Sequence, residues 1–104
     1  MNKTEIRKQY KILHSETRDI LFRCDPVHIN LGGNKDEYDP EASTILPRLK
    51  EAKSESDVHD IVYEEFQNWF GENIAGDKDN TCYTQAAKEI WAAWQKFNLS
   101  RFIR

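Results

Sequence analysis

Asp36-Glu37-Tyr38-Asp39, with Glu41 two residues on, sets four carboxylates and a tyrosine within six residues. Carboxylate oxygens at this density could hold Ca²⁺ or Mg²⁺, or act as an acid–base pair. The spacing is not that of an EF-hand loop, and Glu41 falls in the first turn of a helix rather than at a ligand position. A structural reading of the same residues is stronger. Asp39 caps the second helix, Glu41 complements its dipole, Tyr38 staples the preceding loop onto it, and Asp36 and Glu37 face solvent. An acidic stretch around a tyrosine also suits a protein epitope. Asp36, Glu37, Tyr38 and Glu41 are therefore the candidate partner-binding residues, with no catalytic residue, metal ligand or cofactor assigned.

Two other sets of residues have the atom types for chemistry. Cys24-x₃-His28, with His59 and Cys82 far off in sequence, offers sulfur and nitrogen for zinc. A zinc site usually shows two close pairs, however, and here there is one. Cys24 also lies on an apolar stripe, where a small buried residue is expected. Arg7, Lys11, His14 and Arg18, spaced 4, 3 and 4, form a basic stripe that could follow nucleic-acid phosphates. The alternative, that the stripe faces water or pairs with the protein's own acids, fits the charge of the chain better. No Gly-rich phosphate loop or Ser/His/Asp arrangement is present in a recognisable context.

These residues must be positioned by helices. Ile6, Tyr10, Leu13, Thr17, Ile20, Leu21 and Cys24 recur at helical spacing and predict a first helix over residues 4–24, stopped by Pro26. Val27 to Leu31 alternate in polarity and allow a short extended piece before Gly32-Gly33 breaks the chain. Asp39-Pro40-Glu41 starts a short second helix that Pro47 should kink or split. Ser54 with Asp57 reads as a capping box, followed by an apolar face of Val58, Ile61, Val62, Phe66 and Trp69, with Gly71 as the stop. After a polar loop over residues 72–80, a last helix runs to about Asn98 with Tyr83, Ala86, Ala87, Ile90, Trp91, Trp94 and Phe97 on one face. Trp69, Trp91 and Trp94 are expected in one core. Glu65 breaks the pattern, at about 340° on a wheel that puts Ile61 at about 300° and Trp69 at about 20°. A carboxylate there must pair with a base (Arg48 or an arginine of the first helix), lie at a wet edge, or sit protonated in a pocket.

Asp25-Pro26-Val27, the Asp36-Glu37-Tyr38-Asp39 segment, and Trp69-Phe70-Gly71 resemble a family of small uncharacterised bacterial proteins. That family shares a D-P-aliphatic turn after a first helix, a D-E-Y-D segment opening a second, and a later helix ending in an aromatic pair and Gly. The resemblance spans about residues 15–75. It implies a compact helical bundle and brings no established activity.

Length and composition agree with one small domain. The 104 residues include 12 aromatics, three Trp, four Tyr and five Phe, enough for a single core. No run approaches a membrane span, no leader suggests secretion, and two Cys are too few for a disulfide scaffold. The formal net charge of −3 hides a pattern: residues 25–79 carry fourteen acids against five bases, and both flanks are basic. The expected fold is all-α, a bundle of three long helices plus one short kinked helix. The expected function is a non-enzymatic cytoplasmic interaction module whose acidic surface binds a basic protein, in the manner of an immunity-like inhibitor. The alternatives are a small metal-dependent or acid–base enzyme using Asp36–Asp39, and a nucleic-acid accessory protein using the basic stripe.

Overall fold

The computed structural model describes residues 3–26 and 38–102, and the described chain is all-α. Helix α1 spans Lys3–Cys24, α2 Asp39–Ile45, α3 Glu55–Ala75 and α4 Thr81–Phe102, with a 3₁₀ segment Leu46–Glu51 between α2 and α3. The extended piece expected over 27–31 and the Gly32-Gly33 break lie outside the described residues.

The apolar spacing of α1 puts Leu13, Thr17, Ile20 and Leu21 in the core, and Thr17 returns its hydroxyl proton to the Leu13 carbonyl at 2.8 Å. Pro26 cannot continue the helix. The last turn closes instead through the Asp25 N–H on Leu21 O at 2.7 Å, with Asp25 in the left-handed region at φ 49°. Pro47 acts on the second helix as its ring chemistry demands: α-helical geometry stops at Ile45 and the chain tightens into the 3₁₀ turn.

Helix α3 begins at the predicted cap. The Ser54 hydroxyl accepts the Asp57 N–H at 3.2 Å, and the Asp57 carboxylate accepts the Lys53 N–H at 2.8 Å. Two donors at the helix start are thus satisfied reciprocally. Ser54→Ala is expected to cost about 0.5–2 kcal/mol, read as a lowered guanidinium midpoint at unchanged slope.

Three sequence expectations are corrected. Asp39 does not cap α2: the cap position falls on Tyr38, whose side chain makes no capping hydrogen bond. The Asp39 carboxylate lies instead toward α1, 3.7 Å from His14 Nε2 and 4.0 Å from an Arg18 nitrogen. Second, Gly71 breaks the regular helix at φ 81°, ψ 163°, but another helical turn follows to Ala75, and Gly76 (φ 74°) ends it. That turn is held from outside, by the Tyr83 hydroxyl on Ala75 O at 2.5 Å and the Tyr63 hydroxyl on Gly76 O. Third, the three tryptophans do not share one core. Trp94 is buried and stacks on Phe97, and Trp91 packs partly against the core, but Trp69 is 47% exposed. Its indole N–H reaches Thr44 Oγ1 at 3.0 Å, so the ring lies along the edge of α2. A seven-residue helix is too short to cover it.

Helices α1 and α4 run antiparallel. Tyr10 packs edge-on against Phe97, with centroids 6.3 Å apart, near one end. Arg23 meets Glu89 at 2.9 Å near the other. Helix α3 packs on the remaining side of α4 and carries the centre of the core: Phe66, fully buried, contacts the rings of Tyr38, Phe70 and Tyr83.

Candidate functional site

The structure divides the predicted epitope. Asp36 and Glu37 lie outside the described residues. Tyr38 and Glu41 are buried, at 0% and 3% exposure, and so do not stand on a surface where a partner could reach them. Tyr38 is drawn inward by its ring, packed on Phe66, and by its hydroxyl, which donates to Asp25 Oδ1 at 2.5 Å. It therefore ties the start of α2 to the chain at the end of α1 and to α3; the loop expected from sequence to be stapled onto α2 lies outside the described residues. Among the described residues no group of three or more His, Cys, Asp or Glu side chains could hold a metal ion.

The basic stripe of α1 is likewise split. Arg7 and Lys11 are exposed. His14 shares a hydrogen bond with Ser43 Oγ at 3.1 Å and, with Arg18, approaches Asp39. One half of the stripe faces water and the other half meets the protein's own acidic segment.

Surface acid is concentrated on α3 and the turn after it. Residues 51–79 carry nine acids against two bases. Asp60 and Glu64, four residues apart, share the outer face of α3, with side chains 45% and 54% exposed. Glu72, Asp77 and Asp79 extend the exposed acid toward the start of α4. Two bases are threaded through this surface: Lys78 bonds Asp60, and Arg48 reaches Glu64 at 2.7 Å. The second arm of Arg48 turns inward to Glu65 at 2.9 Å. Of the three environments open to Glu65, the structure has the ion pair with Arg48.

One juxtaposition is invisible to sequence spacing. Cys24, the last residue of α1, and Cys82, in the first turn of α4, line the same opening of about 430 Å³, with Arg23, Gln85 and Glu89 around them. Both are free and half-buried. Burial first, then the nearby Glu89 and Cys82, pushes the Cys24 thiol up to about 11. Glu89 has the opposite shift: the Gln85 amide, then the Arg23 guanidinium, holds its carboxyl below the usual range. His59, the other zinc candidate, is bonded to Lys78 O at 2.8 Å, and His28 lies outside the described residues.

No helix among the described residues is long and apolar enough to cross a membrane. Comparisons with family models, with curated proteins and with solved structures return no match to this chain.

Proposed function

We propose that the chain is a non-enzymatic interaction module that presents an acidic surface to a basic protein. Its concrete form is an immunity-like inhibitor of a cationic toxin or nuclease. The scaffold of this reading is a bundle of three long helices and one short kinked helix. The setting is the bacterial cytoplasm, in keeping with the family that the Asp25-Pro26 and Asp36–Asp39 segments resemble. The supporting observation is the number of exposed acids, Asp60, Glu64, Glu72, Asp77 and Asp79, that α3 and the turn after it carry. With Tyr38 and Glu41 in the core, this surface replaces the stretch around residue 38 as the contact face. A field of one sign accelerates the approach of an oppositely charged partner and is screened by salt.

The test is retention of a partner from a lysate of the source cell on immobilised protein, followed by binding kinetics. A single cationic protein should be captured at low salt and released by roughly 0.5 M salt. Asp60→Lys combined with Asp79→Lys, with the helical circular dichroism unchanged, should slow association by about tenfold or more. Equal capture by the charge-reversed variant, or capture indifferent to salt, sinks the reading.

A further inference from the structure

We infer that Cys24 and Cys82 form a redox-active dithiol, an oxidation site at which a peroxide-class oxidant closes a disulfide between the end of α1 and the start of α4. The placement comes from the helix register. Tyr10 opposite Phe97 and Arg23 opposite Glu89 fix α1 and α4 as antiparallel neighbours. One residue beyond Arg23, Cys24 then stands level with the first turns of α4. Both cysteines line the same 430 Å³ space, with Arg23 and Glu89 beside them. Cys82 is held there by its N–H on Asn80 Oδ1 at 2.8 Å.

A disulfide needs Cα atoms within about 4.4–6.8 Å, closer than the axes of two packed helices. Helix ends can make that approach more readily than helix middles, because only the terminal turn has to shift, here at the expense of the contacts that hold Asp25 and Cys82. Both cysteines are at such ends: Cys24 closes α1 and Cys82 is the second residue of α4.

The roles of the two sulfurs differ. With its thiol pushed up to about 11, Cys24 keeps its proton at neutral pH and is a poor first nucleophile. Cys82 sulfur therefore attacks one oxygen of hydrogen peroxide. The O–O bond breaks, and the departing hydroxide leaves as water with the thiol proton, giving a sulfenic acid at Cys82. Cys24 sulfur then attacks the Cys82 sulfur, the S–O bond breaks, and the second hydroxide takes the Cys24 proton as water. Two thiols lose two electrons, and one peroxide becomes two waters.

The experiment treats the native full chain with a small excess of hydrogen peroxide, then unfolds it in denaturant, alkylates it and weighs it intact. Wild type should pass from two alkylatable thiols to none, with a mass lower by about 2 Da and a monomeric band on a non-reducing gel. A dithiol reductant should restore both thiols. Cys24→Ser should stop at a sulfenic acid on Cys82 that dimedone traps, whereas Cys82→Ser should leave Cys24 alkylatable at the same dose. Retention of both thiols in wild type, oxidation only to interchain dimers, or equal reactivity of the two single variants overturns the inference. Because wild type gives the primary readout, a variant that fails to fold does not spare the inference.

Discussion

Replacing Arg48 by Ala is expected to lower stability by about 2–4 kcal/mol, far more than an ordinary surface charge. The guanidinium spans two carboxylates, Glu65 at 2.9 Å on its inner arm and Glu64 at 2.7 Å on its outer arm. The two contacts differ in worth. Glu64 is 54% exposed and its pairing is screened by water, so that arm contributes little. Glu65 is 12% exposed and lies inside the apolar arc of α3, where water cannot replace a lost partner. Removing one member of a buried pair costs about 3–5 kcal/mol. The Arg48 side chain is itself 30% exposed, so the expected loss sits at or below the lower part of that range. Glu65→Gln keeps a hydrogen-bond acceptor and leaves Arg48 its outer contact, and should cost about 1–2 kcal/mol. Glu64→Gln should change stability by no more than about 0.5 kcal/mol. Urea unfolding at neutral pH measures all three. An Arg48→Ala midpoint within error of wild type would show that Glu65 is adequately hydrated without its partner.

Glu65 also shows what kind of information the sequence held. An acid on an apolar arc is a local contradiction. Burial energetics limits the remedies to a few, and one of the two partners named was the right one. The same locality explains the helix boundaries at Pro26 and Ser54, where the signal lies within a few residues of the effect. It also explains the misreading of Asp39. Asp-Pro-Glu has the same composition whether the acid is the cap or the first helical residue. The register is decided by Tyr38, whose ring is held on Phe66 from α3 and whose hydroxyl is held by Asp25, just past the end of α1. Trp69 failed for a related reason: a wheel gives the angle of a side chain but not whether anything covers that end of the helix. The extra turn after Gly71 depends on tyrosine hydroxyls from positions 63 and 83. The approach of Cys24 to Cys82 follows from the pairing of α1 with α4, and no spacing rule relates residues so far apart. The acidic character of residues 25–79 was legible in the sequence as a charge imbalance, but which of those acids are exposed was not. Tyr38 and Glu41 turn out to be buried, whereas Asp60, Glu64 and the acids of the turn after α3 are exposed.

Phe66→Ala is expected to be the most damaging single change in the core, at about 3–5 kcal/mol, comparable with the whole stability of many domains this size. The ring is fully buried, with centroids 5.8 Å from Tyr38, 5.7 Å from Phe70 and 5.5 Å from Tyr83. Tyr38 and Tyr83 cannot move in to fill the gap, because each hydroxyl is tethered at 2.5 Å, to Asp25 and to the Ala75 carbonyl. A site that cannot collapse keeps its cavity, which puts the cost in the upper part of the large-to-small range. Removing the ring also releases the two tyrosines that join α3 to the start of α2 and to α4. Phe66→Leu tests the same site in a chain that still folds, and should cost about 1–2 kcal/mol with a weaker near-ultraviolet circular dichroism band. Trp69→Ala deletes a larger side chain but one already 47% in water, and should cost about 2 kcal/mol, less than Phe66→Ala. The ranking is the decisive measurement. If chemical denaturation finds Trp69→Ala as damaging as Phe66→Ala, the aromatic centre of the fold lies between α2 and the end of α3 rather than among α2, α3 and α4.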